Sequence, residues 1–342
     1  MCRGDRKVAE PMVRARALNG YLQVARRHGL APQELLKQVG LDAAVLPNLE
    51  HRIPITAVCQ LLESAASNAQ CPTFGLEMAD TRQPLDFGML ELMLSHKRTL
   101  REVLLAAVQY RHLLNEALAI YVEAGASTVV IREEIIADQG IPTRQATELA
   151  IGVLARTCVA LLGEHWQPRG VYFAHPGPAS VNYHRRFFGC PVAFDSDFNG
   201  IACAAEDLDR PNPNADPELV RYAESLASPL NLSEAHSIVL DVRKTIYLLL
   251  PIEQAAVDQV ASHLHLSVRT MQRQLGMAGT NFSNLVDEVR RELAVRYLTN
   301  RRFPIGRVAM LLGYPRQSTF TQWFTARFGT SPRAWRNQQF RK

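Results

Sequence analysis

Arg269, Gln272 and Arg273 fall on one face of any helix drawn through them, with Val268, Met271 and Leu275 on the other. Arginine can bond two acceptors on a guanine edge, and glutamine can bond adenine through both its amide groups. A second segment repeats the division. There, Arg316, Gln317, Thr321 and Gln322 face away from Phe320 and Phe324. These residue types suit the reading of base edges in a duplex groove. Asn281, Arg301, Arg302, Arg307, Arg333 and Arg336 suit phosphate or structural roles, because such contacts position a protein on DNA without specifying sequence.

Other chemistries find weaker support. His175, His184 and Cys190 could form a nucleophile–base pair, but no third group that would orient them is identifiable, so structural roles are expected. His263-Leu-His265 lacks further metal ligands nearby. Glu133-Glu134 and the pair Asp207 and Asp209 read as solvated carboxylates. No glycine-rich loop is present to cradle a phosphate. The six cysteines, Cys2, Cys59, Cys71, Cys158, Cys190 and Cys203, show no C-x-x-C pair and are expected to be reduced and mainly buried. Neither a catalytic group, a metal nor a cofactor is expected.

The base-reading candidates need rigid elements to hold them. Val260-Ala-Ser-His-Leu264 and Val308-Ala-Met-Leu-Leu312 each carry a Val-Ala pair with a Leu four residues after the Val. A tight turn follows each, His265-Leu266 in one and Gly313-Tyr314 in the other, and then a second helix. The units lie 48 residues apart at the first helix and 49 at the second. Ala261 and Ala309 are small enough for two helices to cross closely. Gly313 permits a positive φ, and His265 stands in the matching place as one of the residue types that tolerate it. Ser267 is a good N-cap for the helix from Val268. Two helix-turn-helix units are therefore expected, at about 253–275 and 304–328. Between them, 281–298 reads as a linker helix, capped by Asn281, preceded by Gly276 and Gly279 and followed by Asn300. Its length of roughly 27 Å at 1.5 Å per residue can hold two reading helices about one DNA turn apart.

Charge is distributed to match. Ser233 to Lys342 holds 16 basic and 7 acidic residues, against 22 and 26 in Met1 to Leu232. After Glu292 there is no acidic residue, while ten basic ones follow. Such asymmetry points to a polyanion-binding domain on a near-neutral body.

Ser267–Leu275, Phe282–Leu298, Val308-Ala-Met-Leu-Leu-Gly-Tyr, Ser318-Thr-Phe-Thr-Gln-Trp-Phe and Gly329-Thr-Ser-Pro-Arg-Ala-Trp-Arg336 together resemble the DNA-binding domain of AraC/XylS-type bacterial transcription regulators. The stretch Val171–Pro211, with Phe173-Ala-His-Pro, Tyr183, Phe188-Gly-Cys-Pro-Val-Ala-Phe194, Asn199 and Leu208, is similar to the N-terminal, arabinose-binding-like sensing domain of one branch of these regulators. The resemblance implies a promoter switch that answers a small effector, acts as a dimer and often activates transcription. It selects the same base-reading positions. One departure is Gln322, where the family commonly carries Arg; glutamine there favours adenine.

The remainder bounds the molecule. A chain of 342 residues suggests two domains, and 47% hydrophobic with 21% charged residues excludes a mostly disordered or collagen-like chain. No apolar run approaches the ~18–20 residues of a membrane-spanning helix, and no apolar stretch follows the basic start, so a soluble cytoplasmic protein is expected. Met12 to Leu114 reads as helical, with helices around Leu18–Leu30, from Ala31-Pro32 to Gly40, and over Leu100–Leu114. Ala119–Glu123 and Thr128–Glu134 read as a hairpin, Thr147–Leu162 as helix, 170–178 as a strand running into a turn, and Val181–Phe188 as a short helix. Strands follow at Val192–Asp195 and Gly200–Ala204, then a helix from Asp216 to about Ala227. Ser228-Pro-Leu-Asn-Leu-Ser233 is the expected boundary.

The expected fold is an α+β sensing and dimerisation domain over 1–232, helical at its start and α+β from about 115. An all-α DNA-binding domain with two helix-turn-helix units follows over 233–342. The expected partners are double-stranded promoter DNA, a small-molecule effector, a second copy of the chain and, for an activator, RNA polymerase. A constitutive DNA-binding regulator whose first domain only dimerises is the alternative, ahead of an enzyme fused to a DNA-binding domain. The residues that would bind the effector are not identified by sequence.

Overall fold

The computed structural model describes residues 10–340 apart from 111, 112, 114, 139 and 234–236. The chain divides into two compact units, Met1–Ala235 and His236–Lys342. Cys2, the last residue of the expected helix Leu100–Leu114, and the chain immediately after Ser233 lie outside the described residues.

The first unit begins with strand β1 (Met12–Arg14), helices α1 (Tyr21–Arg27) and α2 (Pro32–Gln38), strand β2 (Arg52–Pro54) and helix α3 (Ile55–Asn68). β1 and β2 pair antiparallel with Val13 opposite Ile53, so this stretch is not wholly helical as expected. Three-residue strands are too short for a period-2 pattern to show; their pairing depends on residues 40 apart in sequence. Helices α4 (Phe74–Thr81), α5 (Glu91–Ser95) and α6 (Leu100–Gln109) follow.

Strands β3 (Leu118–Ala124) and β4 (Thr128–Ile135) form the expected hairpin. After α7 (Arg144–Leu162) come β5 (Gly170–Tyr172), α8 (Asn182–Phe188), β6 (Val192–Ala193) and β7 (Gly200–Ala204). The five strands form one sheet in the order β3-β4-β7-β5-β6, antiparallel except between β5 and β6. Along β4, Val129, Ile131, Glu133 and Ile135 share one face by strand alternation, and the three apolar members join the core.

α7 packs against α3, α4 and the sheet. Its crossing with α4 is close enough that a Cβ at Gly75 would strike the Gln145 carbonyl. Covered on several sides, α7 is apolar around most of its circumference. Among the described residues, this helix is thus long and apolar enough to cross a membrane by length and composition, contrary to the reading of apolar runs above, and two-thirds of its apolar window is buried in this unit. The last helix of the unit, α9 (Pro217–Ser233), continues through Ser228-Pro229, where a break was expected. Proline there removes one backbone donor, but its fixed φ is compatible with helix.

The second unit is helical: α10 (Ile238–Leu249), α11 (Val257–His263), α12 (Val268–Met277), α13 (Phe282–Thr299), α14 (Ile305–Leu311), α15 (Gln317–Phe328) and α16 (Pro332–Gln339). Its core includes Ile246, Val260, Met271, Leu275, Val289, Leu293, Phe320 and Phe324, each essentially without exposure.

Candidate nucleic-acid interface

Two pairs of helices, α11–α12 and α14–α15, are joined by short turns in which the chain reverses through positive φ. His265 has φ +56° and Gly313 has φ +70°, the two matched turn positions. Small side chains sit at both crossings, with Ala261 and Ala309 1% exposed. At Gly313 a Cβ would lie 3.3 Å from Leu250, so glycine suits both the conformation and the space.

Each second helix has a sharply divided surface. On α12, Met271 and Leu275 are fully buried, Val268 is half-buried, and Arg269, Gln272 and Arg273 are exposed. Ser267 caps the helix, its hydroxyl accepting from the Thr270 backbone N–H. On α15, Phe320 and Phe324 are fully buried while Gln317 and Gln322 are exposed and Thr321 is half-buried. Arg316 is exposed too, but it occupies the N-cap position with extended backbone rather than the helix proper. Ser318 and Thr319 join this exposed first turn.

The remaining cationic candidates separate by environment. Arg302, Arg307 and Arg333 are exposed. Arg301 is exposed with its guanidinium 3.9 Å from the centre of the Phe340 ring. Arg336 is half-buried; its Nε donates to the Leu298 carbonyl at 3.0 Å, and burial lowers its pKa. That contact satisfies a carbonyl in the last turn of α13, which makes Arg336 a scaffold group. Asn281 caps the other end of α13, accepting from the Asn284 N–H at 2.9 Å.

What fastens α10 and the second helix pair to α13 was invisible to sequence reasoning. Asp287 accepts from Trp323 Nε1 at 2.8 Å and from Arg327 Nε at 3.1 Å, tying α13 to α15. Arg290 donates to the Leu312 carbonyl at 3.0 Å and stacks 4.6 Å from the Tyr314 ring, tying α13 to the second turn. Arg243 pairs with Glu292 at 2.7 Å, tying α10 to α13. Side chains more than 20 residues apart carry these links, so local spacing gives no signal for them.

The groups weighed for catalysis fall out differently. His184 Nε2 lies 2.9 Å from Glu148 Oε2 and His175 Nε2 3.5 Å from Oε1 of the same buried carboxylate. Phe173 and Phe194 stack beside them. Cys190 Sγ lies instead 3.5 Å from the Pro191 carbonyl, and burial pushes the thiol up to about 11. His263 and His265 remain at the helix-turn-helix corner. The carboxylates correct the expectation of solvation: Glu133, Glu134 and Asp207 are buried, and Asp209 alone is exposed. Glu134 accepts from Asn199 Nδ2 at 2.9 Å, and Asp207 accepts from Trp166 Nε1 at 2.9 Å. Desolvation, with Glu134 adding repulsion, raises Glu133 to about 8.

Comparison with known proteins follows the same lines. The family described as the arabinose-binding domain of AraC transcription regulators, N-terminal, matches residues 29–212, more than half of the chain. The chain belongs to the AraC family. A helix-turn-helix domain family matches residues 260–338, across both helix pairs. This AraC-family chain is therefore a DNA-binding transcriptional regulator. It is similar to the HTH-type transcriptional regulator VirS of Mycobacterium tuberculosis, at 28% identity over 95% of this chain and 96% of that protein. It is also similar to the ornithine utilization regulator of Pseudomonas aeruginosa, at 27% identity over 95% and 96%. The crystal structure of transcriptional regulator CdpR from Pseudomonas aeruginosa aligns over 94% of this chain and 97% of that one, with TM-score 0.44 and 22% identity.

Proposed function

We propose that the chain is an effector-responsive activator whose second unit places α12 and α15 in two adjacent major-groove segments. The observation that carries this reading is the pair of matched helix-turn-helix units joined through one 18-residue helix, each burying its apolar face and exposing arginine and glutamine. Arg269, Gln272 and Arg273 read one segment; Arg316, Gln317, Thr321 and Gln322 read the next. Arg301, Arg302, Arg307 and Arg333 contact phosphates, joined by Asn281 at the start of α13. Arg336 acts through the scaffold.

The first unit, in this reading, holds the effector and dimerises in the cytoplasm. Tyr222 and Leu226, four residues apart on α9, are more than half exposed and support a self-association face. A dimer places two binding sites in one promoter, spaced by near-integral helical turns, and an activator then contacts RNA polymerase.

Footprinting on a target promoter with and without each metabolite tests the reading. The expected result is two protected sites on one face of the duplex whose affinity changes with one metabolite. Affinity unchanged across amino acids, polyamines, sugars and aromatic acids would instead favour a constitutive regulator.

A further inference from the structure

Within the first unit, α3, α6, α7 and the β3–β4 hairpin line a partly open cavity of about 160 Å³. Val58, Leu104, Ile120, Leu149 and Val153 make much of its wall. The polar groups at one side are largely committed to one another. Arg16 pairs with Glu50 and Asp86, Arg14 with Glu50 and the Leu113 carbonyl, and Asn115 accepts from the Ala117 N–H. Thr157 donates to the Val153 carbonyl. Arg82, beside Asp86, can only donate.

Glu133 is different. It interrupts the inward apolar row of β4, is 5% exposed, and lines the cavity. Among the described residues its Oε2 has no hydrogen-bond partner. A buried carboxyl oxygen without a partner carries a desolvation cost that a ligand can relieve.

We propose that this cavity is the effector pocket, and that it takes a small apolar molecule, aromatic or alicyclic, anchored through one neutral hydrogen-bonding group at Glu133. The proposal rests on the reading that the first unit binds an effector. Size sets the class: a dry cavity near 150 Å³ accommodates benzene. Chemistry excludes a pentose such as arabinose despite the name of the matching family. Four buried hydroxyls would need several donors and acceptors, and each one left unpaired carries an uncompensated desolvation cost.

Calorimetric titration of the full chain with benzyl alcohol, benzoate and L-arabinose is the test, repeated on Glu133→Gln, Glu133→Leu, Ala150→Leu and Arg82→Gln. Benzyl alcohol should bind and L-arabinose should not. Glu133→Gln should bind within a few-fold of wild type, Glu133→Leu about tenfold more weakly, and Ala150→Leu, which fills the cavity, not at all. Arabinose binding without benzyl alcohol binding overturns the proposal. So does benzoate binding that survives Glu133→Leu and is lost in Arg82→Gln, which would move the anchor to the arginine. Benzyl alcohol binding in this pattern, with promoter affinity unchanged, supports the cavity's chemistry while removing the effector role of the first unit.

Discussion

Arg273 is exposed on a helix whose other face is locked by Met271 and Leu275, so its guanidinium is free to meet a base edge without disturbing the core. Arg273→Ala should cost roughly 1–3 kcal/mol on the proper site and relax selection at one base pair. Arg302→Ala should weaken binding to all sequences by a similar factor and lower the salt slope by about one. Competition binding against specific and scrambled duplexes separates the two. Glu133 gives a test independent of DNA. Its folded pKa, raised to about 8, lies above the ~4.3 of an unfolded glutamate, so the folded state holds the extra proton between them. Stability from this group is therefore fully present below the lower value and is lost as pH rises through the upper one, with a slope approaching about 1.4 kcal/mol per pH unit. Denaturant melts from pH 5 to pH 9 should show wild type losing stability relative to Glu133→Gln. Parallel curves would contradict the buried, protonated carboxyl. The alternation Val129, Ile131, Glu133, Ile135 already placed this glutamate inward; Glu134, on the opposite face, is buried as well because it packs against Asn199, a partner 65 residues away that local spacing does not reveal.

Elements were legible where local chemistry sets them. Ser267 and Asn281 cap as their types require, and His265 and Gly313 adopt the positive φ that the turns demanded. The β1–β2 pair was not, because long-range pairing defines it. The Asp287 links belong to the same class. Asp287→Ala frees Trp323 and Arg327 from α13, and should destabilise the second unit by about 1–3 kcal/mol. Its protection pattern on DNA should weaken in the block contacted by α15 while the α12 block persists. Equal weakening of both blocks would show that Asp287 does not position α15 separately. Gly313→Ala should cost about 1–2 kcal/mol by forcing a Cβ into left-handed backbone, with the melting midpoint as its readout.

At the scale of the whole molecule, basic residues concentrate in the unit that carries both helix-turn-helix pairs, leaving the other near neutral. Affinity for DNA should fall steeply with salt, with log K dropping by about 0.9 for each phosphate neutralised per log unit of salt. Binding-site selection with the full chain, alongside Arg273→Ala and Gln322→Ala, tests the two-reader arrangement most directly. Two conserved blocks about one helical turn apart should emerge. Arg273→Ala should lose a guanine from one block, and Gln322→Ala should change the other only slightly. A single selected block, or a motif untouched by Arg273→Ala and halved by Gln322→Ala, would contradict it.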